Sequence, residues 1–394
     1  MKIAIFGSSV VSAYWNGAAT YYRGMCAALH ARGHRIRFVE QDIYERQQHR
    51  DFAEDPPYCE VRVVSGWEAL ERELRAAQRW ADLIVKCNDT GAFDREMEEW
   101  LVGQTTEMVE RRERGDAATP GGHSARSRVA SSPRRGWRGG DGPRVVFWDV
   151  DAPATLAECA VESCYLRPLI PRFAAIFTYG GGEPVVQRYR ALGARRVVPV
   201  YNAVDPREYA PVAPLEEYAC DLLFIGSRLP DREVRFHQFF LAAAQDAPDC
   251  RFLLGGPGWQ DLALPPNVRY LGYCPIPLHP VLNCSARLVL NLNRESMAAV
   301  GHSPPTRIFE AAACGACLVT DAWEGIETFF TPGEEILVAH GPEDIVRYLR
   351  TVTPEEARAI GERARRRTLR QHTYDSRAAV FEAAAREVAD GEGG

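Results

Sequence analysis

HSPPTRIFEAAACGACLVTD, residues 302–321, is the stretch on which the reading of the chain turns. Ser303 is a favoured helix N-cap, and Pro304 can take the first helical position, where its missing N–H has no partner to lose. Pro305, Thr306 and Arg307 complete a first turn whose free N–H groups and dipole attract an anion. Two prolines remove two of those donors, so the Thr306 hydroxyl and the Arg307 guanidinium must supply much of the grip. Ile308, Phe309, Ala311 and Ala312 form the apolar part, and Gly315 suits a left-handed cap. Cys317–Thr320 reads as a short buried strand ending at Asp321. Helix, glycine and strand make an αβ unit with a candidate anion site at its mouth. The plainer alternative is an ordinary capped helix in which Arg307 and Glu310 form a surface i,i+3 pair.

Working outward, 394 residues are too many for one typical core and predict two domains. A net charge of −6 argues against general nucleic-acid binding, which calls for a basic surface. The eleven cysteines are odd in number and lack framework spacing, so free thiols in a reducing cytoplasm are the simplest account. Cys314 and Cys317 form a lone C-x-x-C with no second pair to complete a metal site, and no metal is expected. The opening MKIAIFG has no leader pattern, and no apolar run is long enough to span a membrane.

Lys2–Phe6, the helical pattern through Tyr21, Met25 and Leu29, and His34–Glu40 make strand, helix and strand, the opening of a doubly wound sheet. The dinucleotide fingerprint is absent, because Gly7 is followed by Ser8 and Ser9 with Gly17 too distant. The loop carrying Gly7, Asn16 and Gly17 is either structural or a ligand loop at a strand end. Val61–Val64, Trp67–Trp80, Asp82–Cys87 and Phe93 to about Glu113 continue the alternation. Residues 111–142 interrupt it with eight arginines, seven glycines and a single aliphatic side chain, Val129. That composition cannot offset its ordering entropy and reads as a disordered insert, with a single-strand RNA tail as the alternative. Order resumes at Arg144–Trp148, followed by Asp149-Val-Asp151. Two carboxylates at a strand end could hold a divalent cation, but Pro153 ends the strand and leaves Asp151 as a candidate helix N-cap. Strand, helix and strand follow at 174–179, 183–192 and 196–200.

The segment 202–214 reads as a linker. A second αβ series begins with Cys220–Ile225, Gly226, a helix over 231–244 and a strand at 251–254. Strands at 268–271 and 288–292 lead into the opening stretch, and the remainder is helical. The expected architecture is therefore two doubly wound Rossmann-like α/β domains facing across a cleft, residues 1–203 and 204–372. A C-terminal helix over 373–394 is expected to pack back on the first domain.

At this point the sequence resembles glycosyltransferases of the two-Rossmann-domain GT-B kind. Gly226-Ser-Arg228-Leu-Pro-Asp-Arg232 resembles their glycine loop. Arg307-Ile-Phe-Glu310 and the residues through Thr320 resemble their helix with a ribose-binding glutamate. More narrowly, FWDVDAPAT (147–155), FTYGGGEPVV (177–186), NAVD (202–205), the segment 294–297 and AWEGIE (322–327) resemble CgeB-like glycosyltransferases, the spore maturation protein type. The resemblance implies a nucleotide-sugar donor, a UDP-, GDP- or dTDP-sugar, used as co-substrate with no resident cofactor and no metal. It places the donor on Gly226, Arg228, Arg232, Arg294, Ser303, Thr306, Arg307 and Glu310. Arginines there stabilise the growing charge of the leaving diphosphate, and Glu310 accepts from the ribose diol. Arg294 could instead be bridged to Glu295 or Glu324.

Many retaining members carry two glutamates separated by seven residues. Here Glu310 is the second, and His302 stands at the first, a candidate catalytic residue that could donate to a sugar hydroxyl or phosphate. Asp151 is the candidate base on the acceptor side, with Asp149 behind it. The reading is a cytoplasmic, metal-independent glycosyltransferase whose acceptor is a small molecule, glycan or protein. A sugar-nucleotide epimerase or a non-catalytic nucleotide-sugar-binding protein are the alternatives.

Overall fold

A computed structural model describes residues 1–14, 17–88, 91–113 and 142–390. Asn16 and most of the 111–142 segment lie outside the described residues; residues 111–113 end a helix that starts at Asp94.

The first sheet is built from β1 (Lys2–Phe6), β2 (Arg35–Gln41), β3 (Glu60–Val64), β4 (Leu83–Cys87), β5 (Arg144–Asp149), β6 (Ile176–Thr178) and β7 (Val197–Pro199). Its order is β3-β2-β1-β4-β5-β6-β7, and every pairing is parallel. The second sheet comprises β8 (Cys220–Ile225), β9 (Phe252–Gly255), β10 (Val268–Gly272), β11 (Ala286–Asn291), β12 (Leu318–Asp321) and β13 (Leu337–Ala339). It runs β10-β9-β8-β11-β12-β13, again all parallel. Parallel sheets need both faces covered. The central strands are accordingly apolar runs, and Leu83, Ile84 and Val85 in β4 have no solvent exposure at all. In each sheet the order reverses about the first strand, which opens a crevice at the strand C-termini.

The C-terminal helix Tyr374–Asp390 returns to the first domain, as expected. Tyr374, Ala378, Phe381 and Ala385 join the core under β1, β4, β5 and β6. Phe381 stacks on Trp148 with ring centroids 4.8 Å apart. The two chain crossings between the domains meet side by side, with Val204 bridged to Thr373. Arg377 ties them by donating to the carbonyls of Tyr201, Asn202 and Gln371 and to Nδ1 of His372, at 3.0–3.3 Å.

The structure corrects several local readings. The helix expected over 231–244 is three pieces, because a π-helical segment at His237–Leu241 interrupts it. Helices at His279–Ser285 and Glu295–Val300 and the edge strand β13 were not foreseen. The helix of the opening stretch runs from Thr306 to Ala313, with Pro305 at the N-cap position in an extended conformation. Pro304 precedes a proline, whose ring disfavours helical geometry in the residue before it, so the helix cannot begin there. Both prolines therefore lie outside it, and the N–H groups of its first turn are intact.

Candidate functional site

The first turn of the Thr306–Ala313 helix stands at the C-terminal end of the second sheet. Arg307 there has Nη1 3.3 Å from Glu310 Oε2 and 3.4 Å from His279 Nδ1. Burial, together with the Arg307 charge, lowers the His279 pKa to about 3. His279 is therefore neutral; Nε2–H donates to the Cys274 carbonyl at 3.1 Å, and Nδ1 is left to accept from Arg307. That fixes one side of the guanidinium. Glu310 is buried and lies against the Tyr209 phenol, which burial and this carboxylate hold well above its ordinary pKa. The i,i+3 pair of Arg307 and Glu310 exists, but at a buried position rather than on the surface.

Behind β8, Gly226 accepts from Trp259 Nε1–H at 2.7 Å, and a Cβ on Gly226 would come within 3.2 Å of Arg232 Nη1. The glycine thus leaves room for Arg232, whose Nη1 reaches the Ser227 carbonyl at 3.3 Å. Arg232 Nε is sealed from solvent and has no hydrogen-bond partner, and among the described residues Arg232 makes no ion pair. Burial first lowers its pKa, and the charges of Arg307 and Arg294 add to this, while the nearby Asp231 and Asp321 partly offset them. The charges of three arginines thus bear on one place, and Arg232 is the one of them without an ion pair among the described residues. Arg228 is different. Its guanidinium is taken by Glu233 and by Asp261, the latter at 3.0 Å. Two carboxylates hold it in this structure, one of them from a loop that sequence spacing could not bring near.

Arg294 faces the other domain. Its Nε donates to Asp231 at 2.8 Å, and Nη1 lies 3.9 Å from Asp151. The alternative bridge of Arg294 to Glu295 or Glu324 does not form; Glu295 pairs with Arg235 instead. Asp151 occupies the N-cap position of the Ala152–Glu158 helix, but its side chain makes no capping bond. The two aspartates of Asp149-Val-Asp151 have opposite surroundings. Asp149 is fully buried, and accepts from Thr155 Oγ1 at 3.1 Å, from the Asp151 N–H at 2.9 Å and from the Tyr189 hydroxyl. Burial raises its pKa to about 7. It supports the turn, while the half-exposed Asp151 looks across to Arg294. Tyr179, whose pKa burial raises, feels both charges and had not been singled out in the sequence.

His302 adopts φ of 45°, in the left-handed region. Ser303 is wholly buried and donates to the Gly301 carbonyl at 2.9 Å; it does not cap the helix, whose N-cap position is Pro305. In the first-domain loop, Gly7 packs against Phe38, where a Cβ would come within 2.4 Å of the ring, while Gly17 has open space around it. Packing explains Gly7 without a ligand. Among the described residues, no three His, Cys, Asp or Glu side chains are grouped to hold a metal ion.

Residues 232–383 match the family model described as "Glycosyl transferase-like". Over the whole chain the architecture is similar to that of sucrose-phosphate synthase from Thermosynechococcus elongatus. The TM-score there is 0.68 at 13% identity, covering 98% of this chain and 99% of that one. It is also similar to Anabaena HepE in complex with UDP-glucose (TM-score 0.62, 14% identity, 98% and 100% covered). Phage T4 BGT in complex with its UDP-glucose substrate gives a TM-score of 0.57 at 10% identity, with 98% and 99% covered. The chain has the two-domain GT-B fold, and its second domain is similar to glycosyltransferases. Its family match is confined to the domain that holds Arg232, Arg294, Arg307 and Glu310. No curated protein matches the sequence, and among the described residues no helix is long and apolar enough to cross a membrane.

Proposed function

We propose that the chain transfers a glycosyl group from a nucleoside diphosphate sugar, UDP-linked in the first instance, to an acceptor held by the first domain. The observation that carries this is Arg232: a guanidinium with a sealed, unpartnered Nε, crowded by Arg307 and Arg294 at an open helix start. Such a cluster is unfavourable by itself and becomes favourable when a dianion enters, because charge-assisted hydrogen bonds then satisfy it. The diphosphate gains charge as the glycosidic bond breaks, so the same groups bind the transition state more strongly than the ground state. Glu310, one turn into the helix, supplies the acceptor for a ribose hydroxyl. UDP is the first choice because solved structures of similar fold hold UDP-glucose.

Asp151 is the proposed base. It is the first-domain carboxylate 3.9 Å from Arg294, where an acceptor hydroxyl would approach a sugar whose diphosphate rests on that arginine. With the guanidiniums carrying the charge compensation, the proposed reaction is metal-independent and needs no resident cofactor; undiminished turnover in EDTA tests this. A narrower CgeB-like kinship is supported by the order of motifs from FWDVDAPAT to AWEGIE. A cytoplasmic setting is supported by eleven free thiols.

The test is a thermal-shift panel of UDP, GDP, dTDP and ADP with the matching monophosphates. At a hundredfold excess over Kd, binding adds about 2.7 kcal/mol to stability. UDP is expected to give the largest upward shift and monophosphates little. No shift with any diphosphate at millimolar concentration would refute the proposal.

A further inference from the structure

His302 is one of three non-glycine residues with positive φ among the described residues, and of these only His302 lies between the two domains. Its N–H donates to the Glu324 carbonyl at 2.6 Å, within its own domain, and its carbonyl accepts from the Gly181 N–H of the first domain at 2.9 Å. The ring is packed between two glycines. A Cβ on Gly182 would come within 2.6 Å of His302 Cβ, and one on Gly325 within 2.1 Å of its Nδ1. The contact continues along the chain: a Cβ on Gly180 would meet Ser303 Oγ at 2.9 Å, and Asn202 Nδ2–H donates to the Pro304 carbonyl at 3.3 Å. Three residues then separate His302 from Thr306, and two of them are prolines with fixed φ. A stiff connection therefore runs from a strained turn seated on first-domain glycines to the helix start that faces the candidate diphosphate site.

We propose that His302 is a positioning residue, whose left-handed turn, held by Gly181 and Gly182, sets the start of the Thr306–Ala313 helix and links domain contact to donor binding. This rests on the donor reading above. It gives His302 a role through its backbone, in place of contact with the sugar. Strain of this kind persists only where the surroundings impose it, and it clusters at functional sites.

The proposal separates substitutions by backbone preference instead of by side-chain chemistry. UDP is titrated calorimetrically into the full chain carrying His302→Gly, His302→Asn or His302→Val, with melting temperatures as a check on folding. Glycine and asparagine accept the left-handed turn and are expected to bind UDP within about threefold of wild type, the scatter of substitutions that touch nothing. Valine, β-branched, is expected to weaken binding by roughly 5- to 30-fold, the left-handed penalty expressed as an affinity ratio. Gly182→Ala approaches the same turn from the first domain and is expected to weaken UDP binding in the same direction without substituting any second-domain residue. Equal losses for Gly, Asn and Val would overturn the proposal, since the imidazole itself would then hold the ligand. So would wild-type affinity in both His302→Val and Gly182→Ala. Failure of the wild-type chain to bind UDP would instead overturn the donor reading, and this role with it.

Discussion

Arg232→Met separates what the cation cluster costs the folded protein from what it does for a ligand. Methionine keeps much of the aliphatic stem and removes the guanidinium. In the unliganded chain the substitution loses one bond of 3.3 Å to the Ser227 carbonyl, about 1 kcal/mol. Against that, it removes a sealed Nε with no partner, a desolvation cost of about 1–3 kcal/mol. It also removes repulsion from Arg307 and Arg294 together with attraction to Asp231 and Asp321, and these charge effects offset one another. The net expectation is a second domain more stable by about 1–2 kcal/mol, or a melting shift of roughly 2–8 °C for a domain of this size. With UDP the sign reverses. Losing charged hydrogen bonds worth about 1.5–3 kcal/mol weakens binding by roughly 10- to 150-fold. Differential scanning calorimetry reads the first effect and titration calorimetry the second. A less stable variant that binds UDP as wild type does would refute the argument, because Arg232 would then be a structural group.

Three further outcomes follow from the same geometry. Asp151→Asn is expected to lower glycosyl transfer by roughly 10²- to 10⁴-fold, the range for a general base. UDP affinity should hold or improve, since a carboxylate near the diphosphate is removed; chromatographic UDP release and titration calorimetry distinguish the two. Asp149 has a pKa raised to about 7 by burial. Its contribution to stability is therefore fully present below the ordinary carboxylate pKa and is lost as pH rises through about 7. Asp149→Asn should flatten that decline, amounting to about 4 kcal/mol at most, in urea midpoints measured between pH 4.5 and 8. Arg377→Met would leave the carbonyls of Tyr201, Asn202 and Gln371 without this donor. The expected loss is about 2–4 kcal/mol with earlier proteolysis near the domain crossings, whereas an unchanged unfolding curve would show that Arg377 is dispensable.

The sheets were legible because strands buried on both faces must be largely apolar runs, and the strand Cys220–Ile225 matches its observed bounds, as does the amphipathic helix Trp67–Trp80. Short elements were not. Helices such as His279–Ser285 and Glu295–Val300, at seven and six residues, present under two turns of periodicity. The start of the Thr306–Ala313 helix was misplaced because the cap preference of Ser303 was weighed above the restriction Pro305 imposes on Pro304. In the site, Arg232, Arg294 and Arg307 could be named from the sequence, but what distinguishes them from Arg228 is the set of carboxylates the fold brings near each. Asp261 is 33 positions from Arg228 and satisfies it; Asp151 is 143 positions from Arg294 and meets it across the cleft. His279 had no local signal at all, since its role depends on a buried carbonyl at one ring nitrogen and Arg307 at the other. The glycine seat at 180–182 was visible only as a permissive loop, because what it accommodates comes from the other domain.

The most direct test of the donor site is a crystal structure of the chain grown with UDP. The account places the diphosphate at the first turn of the Thr306–Ala313 helix, with a phosphate oxygen within hydrogen-bond reach of Arg232 Nε and of Arg307, and the ribose beside Glu310. UDP bound elsewhere, or bound there with Arg232 still unpartnered, would contradict it.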